Sequence, residues 1–382
     1  MKAFVLHNPT KIVFGRDKVF EIGKEIKSAG YLQILLAYGQ GSIKKTGTYD
    51  KVVASLNKEN IKYAELSGIK PNPVFSKVIE GIEICRKEHI EAILAVGGGS
   101  VVDSVKAIAG GVFFGGDFWQ VFQHKARVEE ALPIFVVLTL SATGSEMNPS
   151  AVVTNERTRE KFFFTSTAVY PKVSILDPVL QFSLPNYQTA AGVSDIIAHI
   201  FELYFCGEEE TELQDEFSEG ILRTVLYFTP ILLQRPNDYR ARTQIILSAL
   251  FALNGVNGIG REPGDWSTHM LEHALSGIYP EVAHGAGLAI IFPAWLKYMM
   301  PYIEKKITRF SQRMWGIDNP LKGIQKLKDW FSSIGLETSL KEFGIREKEI
   351  SVLTEMTMRM SPLGSVKVLN GDDVETIFSY CF

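Results

Sequence analysis

A strand, a glycine turn and a helix follow one another at residues 92–107, where the sequence reads AILAVGGGSVVDSVKA. Residues 92–96 form a continuous apolar run, which is typical of a strand buried on both faces of a parallel sheet. The turn Gly97-Gly98-Gly99 then opens a helix, so backbone N–H groups at the helix N-terminus can face a phosphate. The pattern is neither GxGxxG nor a P-loop, so a tight turn without a ligand is an equal alternative.

Further apolar runs flank this stretch, at residues 34–38, 134–138 and 173–176. Residues 74–88 carry apolar side chains at helical spacing. Strands separated by segments of helix length predict a parallel sheet with crossover helices. We therefore predict an α/β domain over residues 1–182.

The pattern changes after residue 178. Amphipathic helical spacing then dominates, for example at residues 195–205, 214–227 and 240–253. We predict an all-helical domain over residues 183–382. A chain of 382 residues is long enough for two or three domains of roughly 150 residues each.

The composition excludes several classes of protein. Apolar residues make up 46% and charged residues 22%, as in an ordinary globular protein. The net charge is −3, with no dense basic stripe, which disfavours a nucleic-acid partner. The longest apolar stretch, at residues 286–296, has about half the length of a membrane span. We expect no membrane partner and no secretory signal.

The three cysteines, Cys85, Cys206 and Cys381, lie far apart and form no CxxC pair. Neither a disulfide framework nor a cysteine zinc site is expected from this pattern. We predict a cytoplasmic protein.

A second small-residue turn, Gly39-Gln40-Gly41-Ser42, follows the apolar run at residues 34–38. In α/β folds an acidic residue at this position hydrogen-bonds the free 2′-hydroxyl of NAD. The turn has no acidic residue and is followed by two lysines, which favours NADP over NAD. A solvated loop whose lysines contact no ligand is the alternative.

A third turn follows the strand at residues 134–138 and reads TLSATGSE at residues 139–146. Its hydroxyl groups suit contacts to phosphate, ribose or the nicotinamide carboxamide. Hydroxyl-rich turns are also common without any function.

Histidines cluster in the second half of the chain. Asp195 and His199 are four residues apart, as are His269 and His273, and His284 follows. Residues at this spacing lie on one helix face and can hold a divalent ion together. The pair of histidines resembles HExxH, but the general base that metalloproteases need after the first histidine is missing. Nitrogen and oxygen ligands suit Fe(II), Zn(II), Mn(II) or Ni(II), whereas a single histidine is more often a surface or core residue.

Taken in order, GGGS after a strand, TLSATGSE, DxxxH, and HxxxH with a later HG resemble the iron-containing (group III) alcohol dehydrogenase family. The resemblance is strongest to its butanol dehydrogenase and NADPH-dependent aldehyde reductase branch. Further stretches that fit this branch lie at residues 7–15, 44–47, 70–73 and 252–255.

The resemblance implies a dinucleotide-binding domain followed by a helical metal-binding domain, an architecture similar to that of dehydroquinate synthase. The implied metal ligands are Asp195, His199, His269 and His284. His273 matches a histidine near the active site that is usually not a ligand, and we assign it as a proton relay or an orienting residue. The implied metal is Fe(II), with Zn(II) as the alternative, and the implied assembly is a homodimer.

The cofactor-binding residues that we predict from the turns and from the resemblance are Gly39, Ser42, Asn72, Gly97, Gly98, Gly99, Ser100, Asp103, Thr139, Ser141, Thr143, Asn148 and Lys161. Three departures from the family stand out. His269 and His284 are 15 positions apart, one more than the family pattern, with the extra residue inside 277–282. Ala283 replaces a frequent proline, and Gln40 replaces a glycine.

These features predict an oxidoreductase that transfers a hydride between NADP(H) and small primary alcohols or aldehydes of the butanol and butanal kind. NAD is the less favoured cofactor. Two alternatives remain: a polyol oxidoreductase similar to glycerol dehydrogenase, and a non-catalytic protein of the same fold that binds a metal or a nucleotide.

Overall fold

The computed structural model describes residues 1–207, 209–261 and 263–382, which divide into two compact units. The sheet unit contains His7–Leu184 and Pro236–Ile246. The helical unit contains Met1–Leu6, Pro185–Arg235 and Leu247–Phe382. The predicted domain ranges 1–182 and 183–382 differ from these units, because Met1–Leu6 lies in the helical unit and Pro236–Ile246 in the sheet unit. The two ranges stay a prediction.

The sheet unit is built on a six-stranded parallel sheet and a separate antiparallel hairpin. The strands are β1 (Lys11–Phe14), β2 (Gln33–Gly39), β3 (Lys62–Ile69), β4 (Ala92–Gly97), β5 (Ile134–Leu138), β6 (Ser150–Asn155), β7 (Glu160–Thr165) and β8 (Val173–Leu176). The sheet order is β1-β8-β5-β4-β2-β3, and β6 pairs with β7 in the hairpin.

The strand order reverses between β2 and β4. The chain passes from β2 to its neighbour β3 and then crosses to the other side of β2 to form β4. Gly39 and Gly97 are the last residues of these two strands. Ligands of open α/β sheets bind outside the carboxyl ends of the strands at such a reversal.

Helices of the sheet unit are α1 (Ile22–Ser28), α2 (Ser42–Lys45), α3 (Thr48–Lys58), α4 (Phe75–Lys87), α5 (Gly99–Gly111), α6 (Trp119–Phe122) and the first part of α9 (Tyr239–Ala252). One core cluster joins the sheet to α1 and α3, and alternate residues of each strand enter it, for example Ile34, Leu36 and Tyr38 of β2. This period of two places one face of every strand on the same core.

The apolar runs at residues 34–38, 92–96, 134–138 and 173–176 are confirmed as strands, and α4 confirms the helix at residues 74–88. Sequence reasoning missed β3, an edge strand with three of its first four residues polar or aromatic and partly exposed. It also missed β1 and the hairpin. An edge strand keeps polar residues, so it lacks the continuous apolar run of a central strand.

In the described part of the helical unit the regular elements are helices. They are α7 (Asn186–Tyr204), α8 (Glu212–Gln234), the end of α9, α10 (Ser267–Ile278), α11 (His284–Trp315), α12 (Pro320–Ser333), α13 (Ile350–Met358) and α14 (Gly371–Ser379). The predicted fold class, an α/β region with a parallel sheet followed by a helical region, is confirmed.

The longest helix, α11, bends at Ile303, where the backbone leaves helical geometry two residues after Pro301. Pro301 removes one backbone donor from the helix just before this bend. Among the described residues, α11 is the helix long and apolar enough to cross a membrane by composition. However, 72% of its most apolar window is buried inside the protein, as in a core helix.

Candidate metal centre and nucleotide-binding turns

Three helices of the helical unit carry the predicted metal ligands. Asp195 and His199 lie on α7, His269 lies on α10, and His284 is the first residue of α11. The extra residue predicted within 277–282 falls at the end of α10 and in the loop before α11, so it leaves the ligand-bearing helices intact.

The start of α11 lies directly against α7. A Cβ atom added to Gly285 would lie 1.8 Å from the backbone oxygen of Ala191, so a glycine is required at this contact. Because Gly285 follows His284 and Ala191 precedes Asp195 by one turn, this approach brings the two ligands together.

The four predicted ligands converge on one carboxylate oxygen. From Asp195 Oδ1, the distance is 3.5 Å to His199 Nδ1, 3.9 Å to His269 Nε2 and 3.6 Å to His284 Nε2. Ligands at about 2.1 Å from a tetrahedral metal are about 3.4 Å apart. The observed separations are slightly larger than that, so a divalent ion fits among these atoms.

Three of these atoms are buried without a hydrogen-bond partner among the described residues. They are Asp195 Oδ1, His199 Nδ1 and His269 Nε2. Buried polar atoms are nearly always satisfied, so a convergent group of unsatisfied donors and acceptors indicates a ligand. The donor set of one carboxylate and three imidazoles suits a divalent transition metal.

Electrostatics favour the ligating form of two of these groups. Burial raises the pKa of Asp195, but the neighbouring histidines outweigh it and leave the pKa at about 2. Burial lowers the pKa of His199 to about 4 despite the attraction of Asp195. Asp195 is therefore ionised and His199 neutral near pH 7.

His269 behaves differently, because it lies between two carboxylates. Burial lowers its pKa, but Asp195 and Glu202 raise it further, to about 9. Without a metal, His269 thus holds a second proton near neutral pH. Metal binding must displace that proton, so metal affinity is expected to rise with pH.

Two carboxylates that sequence reasoning did not single out contact the outer nitrogens of the ligand rings. His269 Nδ1 lies at hydrogen-bond distance, 2.7 Å, from Glu202 Oε1 of α7, and His284 Nδ1 makes a hydrogen bond with Glu272 Oε2 of α10. Glu202 follows His199 by three residues, and Glu272 follows His269 by three residues. This spacing places each carboxylate on the same helix face as a predicted ligand, and it is the sequence signal that could have identified them.

His273, the predicted proton relay, is buried beside the cluster. Its ring centroid lies 5.6 Å from that of His284 and 6.5 Å from that of His269. A nitrogen of His273 lies within 4.8 Å of ligand atoms of Glu272 and His284. The ring is therefore next to the four predicted ligands and outside the set around Asp195 Oδ1.

In the sheet unit, the glycine turn after β4 is shaped by close packing. A Cβ atom on Gly97 would lie 2.4 Å from Val101, and one on Gly99 would lie 2.5 Å from Thr143. Gly98 precedes the first residue of α5. Packing thus accounts for Gly97 and Gly99, and the turn still leaves the N-terminus of a 13-residue helix at the strand reversal.

The turn after β2 lies at the same end of the sheet, with Gly39 as the last strand residue and Ser42 as the first residue of α2. Lys44 is held by an aromatic and acidic cluster. Its Nζ lies 4.6 Å from the ring centroid of Tyr49 and 3.9 Å from Glu65. Glu65 also accepts hydrogen bonds from Tyr49 at 2.6 Å and from Tyr38 at 2.5 Å.

Two of the predicted cofactor residues, Asp103 and Asn148, belong to a buried polar network around Lys106. Lys106 Nζ donates to Ser145 Oγ at 2.7 Å and to Asn148 Oδ1 at 3.0 Å. Ser145 Oγ in turn donates to Asp103 Oδ1 at 2.6 Å. These side chains have protein partners within the sheet unit, and sequence reasoning missed Lys106, which lies inside an apolar helix.

The remaining predicted cofactor residues are placed as follows. Lys161 Nζ donates to Asn72 Oδ1 at 3.0 Å, which joins β7 to the segment before α4. Ser141 Oγ accepts from Gln181 at 2.8 Å, and Thr139 N donates to Gly97 O at 2.9 Å. Ser100 is the second residue of α5. All of the predicted cofactor residues lie in the sheet unit.

Two family profiles together match most of the chain. "Iron-containing alcohol dehydrogenase" matches residues 9–178, and "Fe-containing alcohol dehydrogenase family, C-terminal" matches residues 189–382. The first profile contains the glycine turns, and the second contains the four predicted metal ligands.

Relatives match the chain over nearly its whole length. NADH-dependent butanol dehydrogenase A of Clostridium acetobutylicum is 39% identical over 99% of both chains. NADPH-dependent aldehyde reductase YqhD of Escherichia coli is 35% identical over 92% of both. Among solved structures, NADH-dependent butanol dehydrogenase A of Thermotoga maritima is 48% identical, with a TM-score of 0.97 over 100% of this chain and 99% of that one. From these matches, the chain belongs to the iron-containing alcohol dehydrogenase family and is an NAD(P)-dependent alcohol dehydrogenase.

Proposed function

We propose that this enzyme is a metal-dependent alcohol dehydrogenase and aldehyde reductase that acts on small primary alcohols and aldehydes with NADP(H). The observation that carries the proposal is the convergence of three imidazole nitrogens on Asp195 Oδ1 at 3.5 to 3.9 Å. The names of the butanol dehydrogenases and of the aldehyde reductase support this substrate class.

Asp195, His199, His269 and His284 would hold the metal, which is Fe(II) in our proposal and Zn(II) as the alternative. When bound, such an ion supplies a Lewis acid that makes a carbonyl more electrophilic or an alcohol more acidic. The nicotinamide supplies the hydride chemistry. The chain itself keeps its first three ligands buried, so water is excluded from most of the site.

His284 is the most exposed of the four ligands, with 22% of its side chain accessible. This accessibility marks its side of the cluster as the direction from which a substrate enters. His273 lies on that side, with its ring next to that of His284. We assign His273 to proton exchange between the alcohol oxygen and solvent, because an imidazole ring can accept a proton at one nitrogen and donate one from the other.

The proposal of NADP(H) rests on the turn after β2. No acidic side chain occupies residues 39–42, and Ser42 and Lys45 are exposed there. Lys44, by contrast, is already engaged by Glu65. A turn without a carboxylate does not repel a 2′-phosphate.

Metal dependence is tested by removing the metal with a chelator and adding back Fe(II) or Zn(II). We expect NADPH oxidation with butanal to stop on removal and to recover with one of the two ions. Activity that is unaffected by both steps would overturn the metal-dependent mechanism. Nucleotide or metal binding without turnover would instead indicate a non-catalytic protein.

Cofactor and substrate are tested by comparing kcat/KM for NADPH and NADH with a series of linear aldehydes. We expect a preference for NADPH and a maximum among short chains. A preference for NADH would overturn the cofactor assignment and leave the metal-dependent reaction intact.

We further propose a cytoplasmic homodimer. The support for the compartment is that all three cysteines are buried and none forms a disulfide with another described residue, as expected in a reducing environment. Light scattering on a sizing column measures the assembly, and a monomer at micromolar concentration would contradict it.

A further inference from the structure

We propose that Glu202 and Glu272 are positioning residues that fix the tautomers of two metal-binding histidines. Each carboxylate accepts a hydrogen bond from the Nδ1–H group of its ring, so that the Nε2 lone pair of the same ring faces Asp195 Oδ1. The inference rests on the proposed metal site, and its test below separates the two.

The contacts of Glu202 determine which atom carries the proton. Its Oε1 accepts the backbone N–H of His269 at 3.1 Å, and its Oε2 accepts the backbone N–H of Trp266 at 2.6 Å. Both oxygens thus accept from backbone donors, as the oxygens of an ionised carboxylate do, and an ionised carboxylate has no proton to donate. His269 Nδ1, at 2.7 Å from Oε1, must therefore be the donor.

The tautomer decides what His269 can bind. A neutral imidazole has one N–H, so a proton on Nδ1 leaves a lone pair on Nε2. It is Nε2 that lies 3.9 Å from Asp195 Oδ1. We propose the same tautomer for His284 from its geometry alone, since its Nδ1 contacts Glu272 and its Nε2 lies 3.6 Å from Asp195 Oδ1.

Glu202 also accepts hydrogen bonds from the backbone at the N-terminus of α10. Trp266 precedes the helix with a left-handed φ of 61° and provides no side-chain cap. Glu202, from α7, accepts the orphan N–H groups of Trp266 and His269 and also the hydroxyl of Thr268. One carboxylate therefore closes the N-terminus of α10 and holds the ring of its third residue.

Glu272 makes the corresponding link from α10 to α11. A Cβ atom on Gly287 would lie 3.0 Å from Glu272 Cγ, so the glycine leaves room for this side chain. Glu202 thus joins α7 to α10, and Glu272 joins α10 to α11. The three ligand-bearing helices are connected by the two outer carboxylates, in the manner of carboxylate–histidine–metal triads.

The test measures metal affinity and not activity. Metal-free protein is titrated with Co(II) against a competing chelator, and metal per chain is counted. We expect one ion per wild-type chain and an affinity about 10- to 100-fold weaker in Glu272→Leu. Glu272→Gln, which keeps an acceptor for His284 Nδ1 but loses the charge, should fall between the two. The visible spectrum of bound Co(II) should change in both variants, because ring orientation changes.

Glu202→Gln should also weaken Co(II) binding, and Thr268→Val serves as its partner variant. Thr268→Val removes one donor to Glu202 without touching His269 Nδ1, so it should lower the unfolding midpoint at unchanged affinity. Glu272→Leu and Glu272→Gln test the proposal if Glu202→Gln does not fold, since they leave the N-terminus of α10 intact.

Glu219→Gln is the matched control for burial. Glu219 is fully buried in the same unit and accepts hydrogen bonds from Tyr204 at 2.9 Å and Arg309 at 2.6 Å, with no contact to a histidine. We expect lower stability and unchanged Co(II) affinity in this variant. Equal losses of affinity in Glu219→Gln and Glu272→Gln would show a purely structural role and overturn the proposal.

Two other results would also overturn the proposal. The first is that the Glu202 and Glu272 variants bind Co(II) within twofold of the wild type. The second is that the wild type binds two ions per chain and Glu272→Gln loses one of them. The second result would make Glu272 a ligand, since Glu272, His273 and His284 form a compact group of their own. A wild type that binds no ion at all would instead refute the proposed metal function.

Discussion

The two buried polar clusters of this enzyme differ in how completely the protein satisfies them. Around Lys106 in the sheet unit, the ammonium reaches Ser145, two oxygens of Asn148 and the backbone oxygen of Ser150, all within 3.0 Å. Around Asp195 in the helical unit, three imidazole nitrogens lie 3.5 to 3.9 Å from Asp195 Oδ1. Of these four atoms, Asp195 Oδ1, His199 Nδ1 and His269 Nε2 lack hydrogen-bond partners among the described residues.

This difference separates a structural network from a binding site. A buried charge with a full set of protein partners contributes to the stability and geometry of its unit. A cluster of buried polar atoms that face one another without hydrogen bonds indicates a binding site for a ligand. The following substitutions test this distinction.

The largest expected effect is on the unsatisfied cluster. Asp195→Asn removes the charge on which three imidazoles converge, so we expect less than one metal ion per chain. A Lewis acid supplies several kcal/mol in the transition state, so NADPH-dependent aldehyde reduction should fall by about a thousandfold or more. Metal analysis and steady-state kinetics measure the two effects.

Asp103→Asn provides the comparison, because it removes a buried carboxylate of the satisfied network. Its folded fraction should keep the metal content of the wild type. If Asp195→Asn also keeps one ion per chain, the cluster around Asp195 is not the metal site.

The next effect is on the satisfied network. Lys106→Met leaves the carboxylate of Asp103 buried without its compensating charge, and breaking a buried pair in this way costs about 3–5 kcal/mol. We expect a corresponding fall in the urea midpoint at unchanged metal content. Lys62→Met, on the exposed edge strand β3, should lie within about 0.5 kcal/mol of the wild type. A Lys106 variant as stable as the Lys62 variant would contradict the structural assignment.

Glu146 lies near Lys106 but outside its hydrogen-bond network, because both oxygens of its carboxyl group are buried without a partner among the described residues. This group predicts a pH dependence of stability. Burial raises the pKa of this carboxyl from 4.5 to about 7, because no side chain other than Lys106 offsets it. The folded chain therefore binds one more proton than the unfolded chain between these values. Its stability is complete below pH 4.5 and declines as the pH rises through 7.

Glu146→Gln should remove that decline. We expect the variant to match the wild type at pH 4 and to exceed its free energy of unfolding by up to about 3 kcal/mol at pH 8, at about 1.4 kcal/mol per pKa unit. Urea titrations at the two pH values measure this difference. Equal stabilities at pH 8 would mean that Glu146 ionises in the folded chain without penalty.

The sequence predicts features that depend on neighbours along the chain. Four central strands are recognisable because burial on both faces demands a continuous apolar run. Asp195 and His199 are recognisable because a spacing of four residues places them on one helix face. The polar edge strand β3 carries neither signal, and it was missed for that reason.

Contacts between distant residues leave almost no signal in a single sequence. Glu202 and its partner His269 are 67 residues apart, and Lys106 and Asn148 are 42 apart. Each of these side chains lies within a helix or turn that the neighbouring residues predict without it. Only the packing of separate elements shows that Glu202 contacts the predicted ligand His269 and that Asn148 is hydrogen-bonded to Lys106.

The smallest effect that we predict concerns such a contact, between Gly285 and Ala191. A methyl group at 285 would lie 1.8 Å from the Ala191 oxygen, so Gly285→Ala must displace α11 from α7, at about 1–3 kcal/mol of overpacking. Displacement of His284 should also weaken Co(II) binding. Gly220→Ala on α8 is the matched control, since the nearest atom to its added Cβ is 4.0 Å away. We expect that control to gain about 0.5–1 kcal/mol from helix propensity and to keep its metal affinity. If both alanines raise stability alike, α7 and α11 are not in the close contact that brings His284 to Asp195.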